Sequence, residues 1–231
     1  MTPKRLVLLV EGQGDVEAAP ILLSRLLHEY GAFDAVFLDP DPFRVGEFAK
    51  ISKDEFCKWR RFLQAAAKRK SLGGCLLLLD GDSGVKVDAK PFCATRAARR
   101  LAEEARKVGA GSLFSVAIVF ACMEFESWLI ASAGSLVGKR FSDGRSEFPE
   151  TIGEVPRDPE SAPRGAKEWF RRVMKTGYSP TRDQAELTRL VDLNLIRQQG
   201  MRSFRRLESA IKELVGAIRP GEHAVTPTAK A

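Results

Sequence analysis

Two stretches decide the fold: Leu6-Val7-Leu8-Leu9-Val10-Glu11-Gly12 and Leu76-Leu77-Leu78-Leu79-Asp80-Gly81-Asp82. Each is a short, almost purely apolar run that stops at acidic residues and a glycine. Such runs read as strands of a parallel sheet, whose two faces are both covered by helices, so the polar alternation disappears. In an open parallel sheet the carboxyl ends of the strands line one edge, and ligands bind there. Glu11, Asp80 and Asp82 are therefore expected to converge, although they lie far apart in the chain. Convergent carboxylates repel one another unless a cation or protons lie between them. Hard oxygen donors of this kind suit Mg2+ or Mn2+. Such a metal beside a glutamate is the equipment for phosphate-ester chemistry.

Outward from these stretches the first half alternates strand and helix. Strands are expected over residues 4–10, 35–38, 75–79 and 114–121, with Gly73-Gly74 breaking the chain before the third. Helices are expected over residues 16–30, 53–70, 91–108 and 124–133. Leu22, Leu23, Leu26 and Leu27 give the first helix its buried face. Pro20 requires that helix to be only in its first turn at that point. The pattern is α/β: a parallel four-stranded sheet flanked by helices, over residues 1–135. Residues 136–163 are rich in Gly, Pro and mixed charge and read as a loop or linker. Residues 164–218 read as a basic helical region packing on the core, with helices over 166–175, 182–198 and 203–217. Residues 219–231 read as a disordered tail.

At 231 residues with 44% hydrophobic content the chain can bury a real core. No apolar stretch approaches the roughly 20 residues that cross a bilayer. The N-terminal apolar run is too short for a signal peptide, so a cytoplasmic location is expected. Cys57, Cys75, Cys93 and Cys122 are widely spaced without companion histidines, which argues against zinc. His28 reads as a solvated surface residue, and His223 lies in the tail. The net charge of +7 and a pI near 9.4 favour an anionic partner, nucleic acid first.

The basic region supplies cations for phosphate. Residues 164–217 hold twelve Lys and Arg against six Asp and Glu, a net of +6. Lys167 and Lys175 are candidates to reach a scissile phosphate, and Arg205 and Arg206 to grip backbone phosphates. Lys58-Trp59-Arg60-Arg61-Phe62 and Glu168-Trp169-Phe170-Arg171-Arg172 interleave bases with aromatics. That suits nucleic acid, but amphipathic helices with aromatics inward give the same pattern. Glu124 and Glu126 follow a buried strand, so Glu124 is a candidate site residue and metal ligand. Glu126 stays open between a ligand and a charge at a helix N-terminus. A strand would put the two on one side, whereas a helix would separate them by about 200°. Asp183 and Gln184 have no assigned role beyond linking the helical region to the sheet.

A glutamate ending the first strand and Asp-x-Asp ending the third resemble the Toprim domain of topoisomerases, bacterial primases and OLD-family nucleases. The resemblance implies that Glu11 serves as general acid or base or as a metal ligand, and that Asp80 and Asp82 hold magnesium. In the nuclease branch a second acidic residue often lies four positions after the glutamate. That position is Asp15 here, which implies a ligand for a second metal; an aspartate just before a helix is equally a helix cap. Met123-Glu124-Phe125-Glu126-Ser127-Trp128, Tyr178-Ser179-Pro180-Thr181-Arg182-Asp183-Gln184 and Ser203-Phe204-Arg205-Arg206-Leu207 extend the likeness. They resemble a bacterial, Toprim-like family known as domain of unknown function four-two-seven-six. The resemblance implies a possible ATPase partner and an antiphage role.

Three functions compete. The first is a Mg2+- or Mn2+-dependent nuclease in which Glu11 handles a proton, with Lys167 beside the phosphate. The second is a non-catalytic module that binds nucleic acid or an ATPase. The third is a phosphatase of the haloacid-dehalogenase type, with Asp80 as the phosphorylated nucleophile.

Overall fold

The computed structural model describes residues 2–142, 144, 148–161 and 165–228. Arg164, parts of the expected linker (143, 145–147, 162–163) and residues 229–231 of the tail lie outside the described residues. The chain runs β1 (Lys4–Val10), α1 (Gln13–Glu29), β2 (Val36–Leu38), β3 (Phe43–Arg44), α2 (Phe48–Ile51), α3 (Lys53–Ala67) and β4 (Leu72–Asp80). It continues with α4 (Ala94–Arg106), β5 (Ser115–Ala121), α5 (Glu126–Ala131), α6 (Ala166–Val173), α7 (Pro180–Leu190), α8 (Leu193–Gln198), α9 (Arg202–Ile218) and β6 (Val225–Thr226).

The fold is α/β, with a parallel sheet of order β2-β1-β4-β5-β6 and β3 paired to β1 above β2. Among the described residues the sheet has six strands where four were expected. The two additions are only two residues long each, too short to show a period. β3 extends the β1 edge at Leu9 and Val10. β6 corrects the expectation of a disordered tail: Val116 N–H donates to the Ala224 carbonyl at 2.8 Å, and Val225 is buried against β5. A hydrophobic residue and two backbone partners are enough to bring the tail back to the sheet edge.

The apolar strands alternate between two cores. Leu6, Leu8, Val10, Leu76, Leu78, Ala117, Val119 and Ala121 face a layer that includes α1, α5 and α9. Val7, Leu9, Cys75, Leu77, Leu79, Val116, Ile118 and Phe120 face the layer of α2, α3 and α4. Both faces are buried, which is why β1, β4 and β5 carry no polar alternation. The C-terminal helices belong to the first layer. Arg25 of α1 donates to the Thr188 and Val191 carbonyls at 2.7 Å each, satisfying the C-terminal end of α7.

Other expectations shift. The helix after β1 begins at Gln13, not residue 16, so Pro20 lies in its interior instead of its first turn. The Gly-rich turn starts the helix directly after the strand, and α1 runs on past the carbonyl that Pro20 cannot pair. Gly73 and Gly74 lie inside β4, under Ile218 of α9, instead of before the strand. The expected helix over 182–198 is two, because Val191 takes extended geometry and Asp192 caps α8 through Asn194 N–H. Between Ser135 and Ala166 the described residues hold no helix or strand. They are nonetheless packed: Phe141 and Phe148 are buried, and the Glu160 carboxylate accepts the Arg202 and Ser203 N–H groups at 2.7 Å. Among the described residues no helix is long and apolar enough to cross a membrane.

Candidate active site

The ends of β1, β4 and β5 place the acidic residues on one edge of the sheet. Glu11 follows β1, and its Oε2 accepts the Asp80 N–H at 3.1 Å. Asp80 ends β4, level with Ala121 at the end of β5. Its Oδ1 accepts the Phe125 N–H at 2.9 Å, which fixes the carboxylate against the turn into α5. Close approach here depends on Gly81, where a Cβ would come within 2.6 Å of the Ala121 carbonyl oxygen. The Gly81 N–H donates instead to the Met123 carbonyl at 2.9 Å.

Lys167 reaches this edge from the first turn of α6. Its Nζ lies 3.2 Å from Asp80 Oδ2, 3.0 Å from Glu124 Oε1 and 3.6 Å from Glu126 Oε2. Glu124 and Glu126 thus both turn to one cation. Glu124 sits in the turn before α5, so the helical 200° separation does not apply. Glu126 is 1% exposed, and the Tyr178 hydroxyl donates to its Oε1 at 2.8 Å. Tyr178 stands in sequence only as part of a segment of the family likeness, with no role; the signal for its role is the need of a buried glutamate for a donor.

Asp15 is held from two sides. The Gly12 N–H donates to Oδ2 at 2.8 Å, and Gln184 Nε2 donates to Oδ1 at 2.7 Å. Gly12 is the N-cap of α1, so Asp15 supplies the third-position half of a capping box; glycine has no side chain for the other half. Gln184 comes close because residue 14 is glycine: a Cβ there would stand 2.1 Å from Gln184 Oε1 and 2.8 Å from the Pro180 carbonyl. Asp183 is structural. It is buried, accepts the Ser179 N–H at 2.8 Å, and pairs with Arg182 at 2.6 Å.

Burial raises the proton affinity of the cluster. The Glu11 carboxyl is pushed up to about 7, chiefly by desolvation, with Asp15 and Asp82 adding repulsion against the Asp80 N–H and Lys167. Asp80 is raised well above the usual range by desolvation, which outweighs Lys167 and is reinforced by Glu126, Asp15 and Glu11. Glu126 is raised to about 7 by burial, opposed by Lys167 and Tyr178. Burial alone would lower Lys167; Asp80, Glu126 and Glu124 outweigh it, so the ammonium stays charged.

The remaining candidates stand apart in role. Asp82 is half-buried beyond Gly81, close enough to repel charge on Glu11. Lys175 is exposed in the turn after α6, and Arg205 is exposed on α9. Arg206 is committed to the fold, pairing with Glu213 at 2.8 Å and with the Thr226 hydroxyl of β6. Trp59, Trp169 and Phe170 are buried, so the two aromatic-basic segments turn their rings inward. Cys75 is buried, Cys122 half-buried, and His28 exposed.

Glu11, Asp80 and Asp82 have the donor chemistry of a hard divalent cation. No group of three or more Asp, Glu, His or Cys among the described residues is already gathered to hold one. No curated protein and no solved structure matches the chain. One family does, described as "Domain of unknown function (DUF4276)", over residues 10–212. That span is most of the protein, and the chain belongs to this family.

Proposed function

We propose that the protein is a Toprim-type, Mg2+- or Mn2+-dependent hydrolase of nucleic-acid phosphodiesters. One observation carries the reading: the Glu11 carboxylate touches Asp80 at the sheet edge, and the Asp80 carboxylate meets a half-buried lysine; burial pushes the Glu11 carboxyl up to about 7. A group with a pKa near 7 can both take and return a proton at neutral pH. Glu11 would take the proton of the attacking water and return it to the leaving oxygen. Lys167 would hold a phosphate oxygen while Asp80 and Asp82 would hold the metal, with Glu11 facing it. When bound, the metal would supply Lewis-acid stabilisation of charge on the phosphoryl oxygens. Purified protein with Mg2+ or Mn2+ is expected to cleave DNA or RNA, and Glu11→Gln and Asp80→Asn each to lower cleavage at least about a hundredfold. Cleavage undiminished in both variants sinks the proposal.

A second reading is favoured by Lys167 itself. An ammonium already sits among Asp80, Glu124 and Glu126, neutralising part of the charge a metal would otherwise meet. In that reading the edge is a non-catalytic phosphate-binding module. Nucleic-acid binding that is unaffected by Mg2+, without cleavage, selects it.

A further inference from the structure

Beside the carboxylate cluster lies a partly enclosed cavity of about 210 Å³. Met123, Ile130 and Trp169 give it apolar walls, and Glu124, Ser127 and Arg172 give it polar groups. Glu124 is shared with the site, since it also accepts from Lys167 at 3.0 Å. Ser127 is 1% exposed, and among the described residues its Oγ has no hydrogen-bond partner. A buried hydroxyl left unpaired is costly and calls for an explanation. The volume is below the roughly 300–1,000 Å³ of pockets for drug-sized ligands, so it suits one small group. Apolar walls with a tryptophan, a carboxylate acceptor and an unpaired hydroxyl match a flat heteroaromatic ring with polar edges. An aliphatic side chain would leave Ser127 unpaired.

We infer that this cavity is a base subsite, taking the nucleobase of a nucleotide whose phosphate lies against Lys167. The inference rests on the phosphodiester reading of the adjoining site and names its substrate more closely: a nucleotide with its base turned out of any stack. Glu124 would accept an exocyclic N–H, Ser127 would pair with a ring-edge atom, and Arg172 at the mouth would meet a further phosphate or carbonyl oxygen.

The test is equilibrium titration of the full chain, in Mg2+ buffer, with inorganic phosphate, a nucleoside 5′-monophosphate and a single-stranded oligonucleotide. The monophosphate is expected to bind more tightly than phosphate. Ser127→Ala should weaken the monophosphate roughly tenfold, leave phosphate unchanged, and leave the melting temperature of the free protein equal or higher. Ala166→Leu, which fills the cavity, should remove the advantage of the monophosphate over phosphate. An oligonucleotide that binds more tightly still, and loses that gain in Ala166→Leu, assigns the subsite to a polymer; a monophosphate that binds as well assigns it to free nucleotides. Phosphate binding with no gain from the base overturns the subsite alone. Binding of none of the three overturns the phosphodiester reading with it.

Discussion

The Glu11 carboxylate and the Asp80 backbone N–H meet at 3.1 Å, across 69 residues of sequence. This contact ties the end of β1 to the end of β4 and places a desolvated acid beside a second carboxylate. The Glu11 side chain is held by a donor that only partly offsets its burial, so its proton is retained toward neutrality.

Glu11→Gln keeps an acceptor for the Asp80 N–H but removes the proton-handling group. Phosphodiester cleavage is expected to fall by about 10²–10⁴-fold, while the melting temperature holds or rises. Retained cleavage would exclude Glu11 as the acid–base group.

Metal-free stability should fall as pH rises from about 4.3 to about 7. The sign follows from linkage: across that window folded Glu11 keeps a proton that the unfolded chain has lost, and raising pH removes that advantage. Metal binding needs the ionised form, so Mg2+ affinity should increase over the same window, with proton release. Calorimetry in two buffers of different ionisation enthalpy reads this. Proton uptake, or affinity independent of pH, is the contrary outcome.

Lys167→Met removes the ammonium that faces the buried Glu126 and keeps the Tyr178 hydroxyl on its Oε1. Stability is expected to fall by up to roughly 3 kcal/mol at pH 8 and by much less at pH 5.5, where Glu126 is protonated. Chemical denaturation at both values checks it, and an equal loss at both would show that the lysine acts through packing and not charge.

Gly81→Ala forces a Cβ toward the Ala121 carbonyl oxygen, which is backbone and cannot yield cheaply. A loss of roughly 2–3 kcal/mol is expected. Gly84→Ala meets nothing within 4 Å and should stay within about 0.5 kcal/mol of wild type. Equal effects for the pair would contradict the close packing at the strand end.

Glu104 is 1% exposed and lies against Arg60, Lys107 and Arg100. Burial would raise its pKa, but the Lys107 and Arg60 contacts outweigh burial and lower it. Its stabilisation is therefore present above about 4.3 and is lost as pH falls through the depressed folded value. Glu104→Gln should flatten the acid limb of the stability profile; an unchanged limb would assign acid sensitivity to other carboxylates.

The parts of this arrangement legible in sequence were those written into uninterrupted runs. Leu6–Val10 and Leu76–Leu79 gave strands, and the acids that end them gave an edge. Lys167 could be named as a cation, but not as the common partner of Asp80, Glu124 and Glu126, because that depends on where α6 lies against the sheet edge. Gln184 and Asp15 lie 169 residues apart, and nothing local to either signals the other. β3 and β6 are held by backbone pairing to β1 and β5, which leaves no periodic mark in two residues. Proline tolerance at Pro20 puts the helix start near residue 16, whereas the Gly12–Asp15 turn sets it at Gln13.

The central claim is that Glu11, Asp80 and Asp82 take up a divalent cation at the sheet edge. Anomalous diffraction from crystals soaked in Mn2+ tests it most directly. The account predicts a manganese peak bonded to Asp80 and at least one of Glu11 and Asp82, absent in Asp80→Asn crystals. A saturating soak with no peak at this edge, or with manganese bound only elsewhere, would contradict it.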